Sequence, residues 1–501
     1  MSGRLASVPE ETTSGYEALS LYRRRIRTID VSAAQTTSPF LSAYQSGHSG
    51  SSYSSYSGTS SSDHMSNNSG SSPRWVSAAA TDLGAQELAM VARQMVSDGY
   101  IERLVQAAND TTCPIQECGY GLGKHRVVDN WFFELDVDWV LRIQSKHDLS
   151  QQLQLQDKSA SWLQNFVERW VRALMVIAYS IQEILAVTSF FSSFGSTGIN
   201  NMLVFVDAII PLLKVENLRH LLNMYVCVSK AWYIMTPPED QSIINHIVGP
   251  LPRAMNKLSD AISSTMEQVR TLMEDDNSWA IEIPRGGGGV HRNTQLMVDY
   301  IVTMREALAS MLNSAPSQTT VNLRALIEDT TGYLKDLPLR KSELWLDLSL
   351  RYLFLLNNFY FVAQVPEPSG SLNLEIWSGH HSGLNLSPEC EKYMDSYLDV
   401  SWGHVLSCIP HSNSRGPFHC LINTSSLVKF LSAFNKTYQA QKFWKVLDPQ
   451  LRDAMRRTIT VRVISDYRDY LEEHPEVEKH VSSRRNSPDI LEEMLGELFE
   501  G

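Results

Sequence analysis

The sequence predicts an all-α fold. Apolar residues recur three or four positions apart from about residue 84 onward, period-2 alternation is almost absent, and Asp-Pro and Gly-rich punctuation separates the periodic stretches. Residues 85–105 place Leu88, Val91, Met95, Ile101, Leu104 and Val105 mostly three or four apart, and Asp98-Gly99-Tyr100 divides them into two helices. Residues 135–139 are the one strand-like run, yet Trp131, Leu135 and Trp139 are spaced by four, which favours helix. Residues 162–187 carry Trp162, Phe166, Trp170, Leu174, Ile177, Ile181 and Ile184 on one broad face, and residues 217–233 and 252–273 continue in the same way. A connector is expected at 274–293, where Asp275-Asp276-Asn277, Pro284 and the four glycines Gly286–Gly289 disfavour helix and strand alike. Helices resume over 294–312, 341–362, 425–445 and 488–499. Another starts at Asp448-Pro449, a good N-cap followed by a proline that suits the first turn, and runs to about residue 473. Consecutive antiparallel helices of this kind pack as bundles.

Residues 1–83 differ. Thirteen of the 26 residues from 47 to 72 are Ser, so the segment has too little apolar surface to offset its ordering entropy and is expected to be disordered. The cluster Arg23-Arg24-Arg25-Ile26-Arg27 reads as a solvated tail, with contact to anionic lipid as the alternative. The domain reading is therefore a disordered segment at 1–83, N-terminal helical bundles at 84–273, a connector at 274–293 and C-terminal bundles at 294–501.

Composition excludes several functions. The 501 residues hold 43 Lys+Arg and 55 Asp+Glu, a net charge of −12, which repels phosphate backbones and argues against nucleic acid as a partner. Six irregularly spaced cysteines point to reduced thiols, and the Cys113/Cys118 pair has no second pair nearby to complete a zinc site. The N-terminus has neither the apolar core of a secretory signal nor the Met-Gly start of a myristoyl anchor. Residues 171–187 are interrupted by Arg172, Gln182 and Glu183, and residues 202–213 by Asp207 and Pro211. Neither reaches the roughly 20 apolar residues of a span, so a soluble or peripheral protein is expected.

No catalytic constellation emerges. Residues 118–125 resemble a phosphate loop, but Cys118 replaces the first glycine and His125 the magnesium-binding hydroxyl. The pair His380-His381 has no ligand partner at metal spacing, and no Gly-x-Ser-x-Gly elbow is present. Trp345–Leu348 and Phe132–Leu135 match aromatic-x-x-aliphatic docking motifs, but core packing explains both better, and Trp345 is expected within a helix. The prediction is a non-catalytic protein without cofactor or metal.

Longer strings are more specific. Gly289-Val290-His291 followed by Thr294 and Val298-Asp299-Tyr300-Ile301 resembles a block of the exocyst complex's seventy-kilodalton subunit family. The run at 352–362, with Asn357-Asn358, is similar to that family's Asn-Asn helix. Residues 443–452, residues 463–468 and the terminal Leu498-Phe499-Glu500-Gly501 resemble its late helices and plant-type ending. Asp98-Gly99-Tyr100 and residues 131–139 resemble a divergent, grass-type clade. Core packing and backbone hydrogen bonding account for Asn357-Asn358, Trp444 and Arg452 as fold signatures.

The resemblance implies an elongated rod of stacked antiparallel helical bundles and a role in exocytosis, tethering vesicles to the plasma membrane. It implies as partners a phosphatidylinositol bisphosphate membrane, other exocyst subunits, small GTPases, and immune or autophagy proteins in plant defence. The family's long N-terminal assembly helix has no counterpart in residues 1–80. Its lipid-binding segment falls where Lys479, Arg484 and Arg485 are the cations, so weak or partner-assisted lipid binding is expected. The other reading is a soluble scaffold or decoy for immune or pathogen proteins.

Overall fold

The computed structural model describes residues 21–31, 83–109, 122–143, 160–185, 191–236, 247–312, 319–364, 386–409, 419–475 and 486–500. Among these, the regular elements are helices, together with one isolated antiparallel bridge between Lys445 and Glu500. The all-α expectation is met. The described residues form two compact units, the first from 21–31, 83–272 and 300–330, the second from 273–299 and 331–500.

In the first unit α1 spans residues 21–28. Then come α2 (Ala85–Ser97), α3 (Tyr100–Asn109), α4 (Leu122–Glu134), α5 (Ala160–Leu185), α6 (Phe191–Ile209), α7 (Leu218–Met235) and α8 (Pro250–Asp275). Helix α5 is the core, because α2, α6 and α7 all pack on it. Its apolar face is nearly continuous from Val167 to Ile181. Trp170 donates its indole N–H to the Met202 carbonyl (2.9 Å), and Trp139 packs edge-on against Phe166 and Phe205. Trp131 stacks on Phe194, with Gly198 beneath it, where a Cβ would stand 3.0 Å from the indole. By length and composition, Phe194–Leu212 is apolar enough to cross a membrane, but 56% of it is buried inside the protein.

Helix α1 corrects the sequence reading for part of the N-terminal segment. Tyr22, Ile26, Ile29 and Val31 are buried although the surrounding composition is that of a disordered tail. The spacing of four and three between Tyr22, Ile26 and Ile29 is helical, and the helix gains its stability by covering an apolar face rather than from propensity. The strand-like run 135–139 also resolves differently. Helix α4 ends at Glu134, Asp136 takes a left-handed conformation (φ 64°), and a 3-10 turn follows at Asp138–Arg142. The Val137 N–H bonds back to the Phe132 carbonyl (2.8 Å) and that of Asp136 to Phe133 (3.1 Å), a Schellman ending with Asp where Gly is usual.

The second unit contains α9 (Trp279–Arg285), α12 (Leu348–Ala363), α13 (Pro388–Leu406), α14 (His419–Gln441), α15 (Pro449–Glu473) and α16 (Pro488–Gly496). The helices α10 (Arg292–Leu312) and α11 (Thr319–Ser342) have residues in both units, and the last three residues of α8 belong to the second. Helix α13 packs on α12, α14 and α15. Phe430 stacks on Tyr467, and Trp402 tilts against Phe434. Three N-caps act as the residue types suggest: Ser387 accepts from Cys390 N–H, Asp448 from Leu451 N–H, and Asp347 from Ser349 and Leu350 N–H.

The cap at Asp347 breaks the single helix expected over 341–362. Trp345 therefore lies outside any helix, yet its indole is buried and packs 5.3 Å from Phe354. Leu344 and Leu348, on either side of this break, are exposed. The 274–293 connector holds an ordered short helix, α9, because Trp279 and Ile283 are buried within it.

Candidate functional site

The strings that carry the family resemblance meet in the second unit. Helix α9 delivers the chain into Gly286–Gly289. Gly287 and Gly288 have φ of 60° and 78°, a region that favours glycine. A Cβ on Gly287 would stand 2.7 Å from the Trp444 Cα, so the 443–445 backbone lies directly on it. The Lys445 N–H donates to the Gly287 carbonyl (3.0 Å). From α12, Asn357 Nδ2 donates to both the Gly288 carbonyl (2.8 Å) and the Lys445 carbonyl (3.0 Å). Asn358 accepts from His291 N–H (3.3 Å) and donates to the Phe354 carbonyl (2.8 Å). The Asn-Asn pair thus satisfies buried backbone groups, as the sequence suggested, and it does so on two separate strings at once.

The terminal string closes the junction. Val446 N–H donates to the Phe499 carbonyl (3.3 Å), and Arg456 places its Nε and Nη2 on the Leu498 carbonyl. Tyr438 donates to Glu497 (2.9 Å). The strings at 286–291, 357–358, 443–446 and 498–500 are therefore one hydrogen-bonded clasp built from distant parts of the chain.

Beside the clasp is a shallow cleft of about 280 Å³, lined by Glu282, His291, Arg292, Gln295, Lys445 and Leu447 among others. The His291 ring stacks on Trp279 with centroids 3.6 Å apart. Its Nδ1 accepts from Asn293 N–H (3.2 Å), which leaves the proton on Nε2, 3.1 Å from Glu282 Oε2. Burial pushes this imidazole down to about 3, so it is neutral at physiological pH. Asp276 is held down to about 2. Burial would raise it, but hydrogen bonds from Ser278 and Asn293 and the Arg292 charge outweigh that.

In the cleft Glu282 stands within ion-pair distance of both His291 (3.1 Å) and Arg292 (3.3 Å), and Arg292 also reaches Asp276 (3.4 Å). The hydroxyl–imidazole contact between Thr437 and His404 (3.2 Å) buries the hydroxyl and exposes the ring, the reverse of what an attacking nucleophile needs. Among the described residues no group of three His, Cys, Asp or Glu side chains could hold a metal ion.

The candidate lipid residues Lys479, Arg484 and Arg485 lie outside the described residues, as do Cys113, Cys118, His380 and His381. The chain resumes at Asn486, whose carbonyl accepts from the Tyr467 hydroxyl (2.9 Å). Nearby, Arg468 is taken up by Asp489 (3.2 Å) and Glu492 (2.7 Å).

A second charged centre, in the first unit, was not legible in the sequence. The Asp136 carboxylate, 4% exposed, receives Arg23 (2.6 Å) and Arg27 (2.5 Å) from α1 and Arg169 (2.9 Å) from α5. Burial raises this carboxyl, but the Arg27 hydrogen bond and the three guanidinium charges hold it below its ordinary value. Arg23 and Arg27 of the basic cluster are thus paired with a buried carboxylate, while Arg24, Arg25 and Arg27 keep an exposed face. That carboxylate lies 109 residues from Arg27, and no local pattern links the two.

Residues 175–497 match the family model that describes the C-terminal region of Exo70, an exocyst complex subunit, and the match covers well over half of the chain. Among curated proteins of Arabidopsis thaliana, the exocyst complex component EXO70E2 is 27% identical over 49% of this chain and 39% of that protein. EXO70C1 is 24% identical over 57% of this chain and 47% of its own length, and EXO70B2 23% over 66% and 56%. The chain thus spans about half the length of these relatives. A crystal structure of the S. cerevisiae exocyst component Exo70p aligns over 84% of this chain and 99% of that chain, with 14% identity and a TM-score of 0.31. The family match runs from within α5 to the Glu497 that anchors Tyr438, and so includes every string of the clasp except its last residues: the chain belongs to the Exo70 family of exocyst subunits.

Proposed function

We propose that this chain is a plant exocyst-type subunit that acts without catalysis, tethering secretory vesicles at the plasma membrane through protein contacts and a phosphoinositide surface. The family match over 175–497 carries the reading. The clasp supports it, since four separated strings are used to fix backbone geometry and none presents a nucleophile with a base. Such a body is suited to holding surfaces in register. Lipid contact falls to Lys479, Arg484 and Arg485, with three cations giving only modest attraction to an anionic leaflet at ~1 kcal/mol each. Specialisation for plant defence or autophagy-related transport is the finer part of the same proposal.

Two measurements test it. Affinity purification from plant cells is expected to recover sister exocyst subunits, and liposome flotation is expected to show binding that needs phosphatidylinositol bisphosphate and weakens with Arg484→Ala/Arg485→Ala. Recovery of immune proteins alone, with no flotation on any vesicle, would instead establish the scaffold or decoy reading. Proximity labelling in tissue would separate general secretion from a defence or autophagy role by the compartments tagged.

A further inference from the structure

Among the described residues, residues 21–31 find their partners outside the segment far away in sequence, with residues 32–82 between. Their contacts are nonetheless specific along the whole helix. Tyr22 lies 5.9 Å from the Tyr100 ring and donates to Asp98. Arg23 reaches Asp136 and sits 4.0 Å over the Phe133 ring. Arg25 donates to Gln94 (2.8 Å), and Arg27 is bidentate on Asp136. At the far end Arg172 Nε donates to the Ile29 carbonyl (2.7 Å).

The receiving surface is organised from its own side. The left-handed Asp136 is set by the Schellman ending of α4, and Arg169 grips both its carbonyl (2.7 and 2.9 Å) and its carboxylate (3.1 Å). Gly84 (φ 63°) is bare where the segment crosses it: a Cβ there would stand 2.6 Å from the Ile29 Cγ2 and 2.9 Å from the Asp30 carbonyl. A carboxylate hub at one end and a glycine seat at the other match a basic amphipathic helix in charge and in shape.

We propose that residues 21–31 are a detachable ligand: a basic helix that occupies, and can leave, a docking site on the first unit centred on Asp136. An eight-residue helix is marginal alone in water, so its order comes from docking. Four buried apolar side chains do not by themselves offset the ordering of eleven residues, so the docked state depends on the added hydrogen bonds and ion pairs at Asp136 and Arg172, and it is reversible without opening the core. Because the segment belongs to the same chain its docking is intramolecular, so an outside helix of the same pattern gains access only when the chain between them is cut or the segment is displaced. This inference does not depend on the tethering proposal, and none of the experiments above reads it.

The test keeps the full chain. A protease site is inserted within residues 50–60, the purified protein is cut, and a fluorescent peptide of residues 18–33 is added at low and high salt. The expected result is saturable exchange of the labelled peptide for the cut segment, weakened tenfold or more by Ile26→Asp in the peptide, by Asp136→Asn in the body and by high salt. Failure of the cut segment to exchange, or exchange indifferent to both substitutions, overturns the proposal. Should Asp136→Asn fail to fold, hydrogen exchange on the uncut wild-type protein decides. Amides of 23–29 are expected to exchange at least tenfold faster than those of 170–181, and equal protection would make the segment an integral part of the core and end the proposal.

Discussion

The first unit secures a distant segment with three guanidiniums on one carboxylate, whereas the second secures its distant strings with side-chain amides and bare glycines. Both problems are the same, to fix backbone that arrives from far along the chain. The solutions differ in range. Charges around Asp136 attract over several ångströms, tolerate imperfect fit, and are weakened by salt and by titration. The contacts of Asn357 with Gly288 and Lys445 act only at hydrogen-bond distance, need the Gly287 seat, and carry no net charge. The charged clamp suits a piece that comes and goes, and the amide clasp suits a permanent junction.

The largest way to break the contrast is Gly287→Val. The new side chain must adopt φ near 60° and push against the Trp444 backbone, which cannot swing aside as a side chain would. Unfolding by denaturant is expected to show a loss of about 3 kcal/mol or more, the same at low and high salt. A loss under ~1 kcal/mol would mean that the 443–445 segment is free to move off the glycine turn. Asn357→Leu comes next. It keeps the size of the side chain but removes the donors to two buried carbonyls, each costing about 1–3 kcal/mol to leave unpaired. The expected loss is roughly 2–3 kcal/mol and flat from pH 5 to 8. A pH-dependent loss would show that charge contributes to the clasp after all.

The clasp was half legible in sequence. The string from 289 to 301, the connector glycines before it, and the strings at 352–362, 443–452 and 498–501 stood out one by one, but that Asn357 ties the glycine turn to Lys445 depends on a fold no local pattern encodes. Periodicity located ten of the helices but gave none for α6, α11 and α13, and it ran through a stop that a capping residue imposes: the apolar run through 341–362 hid the break at Asp347. The N-terminal helix was missed for the opposite reason. Tyr22, Ile26 and Ile29 keep helical spacing, but a short apolar face has no use until its receiving surface exists, and the Ser-rich residues that follow set the composition. The basic cluster was visible, while its partner Asp136 lay in a run read as helix. The left-handed turn that aims this carboxylate is set by the end of α4.

The smallest and most discriminating effect concerns pH. Glu134, beside Arg23 in the charged clamp, is pushed up to about 7 by burial, against the opposing charge and backbone N–H of Arg23. A folded value above the ordinary 4.5 means that the folded state binds this proton more tightly, so the stability it contributes is complete below pH 4.5 and is lost as pH rises through about 7. Asp136 runs the other way: held low, it stabilises above its ordinary 3.8 and fails only as acid protonates it. The first unit should therefore weaken between pH 5 and 8, and Glu134→Gln should flatten that slope by on the order of 1 kcal/mol, read by thermal unfolding across the range. The second unit supplies the control, because Asp276 near 2 stays ionised and His291 near 3 stays neutral over the same interval. If the wild-type slope is flat and Glu134→Gln changes nothing, Glu134 keeps no proton in the clamp. The two units would then differ in geometry alone, and release of residues 21–31 would have to be sought in salt or competing helices rather than in pH.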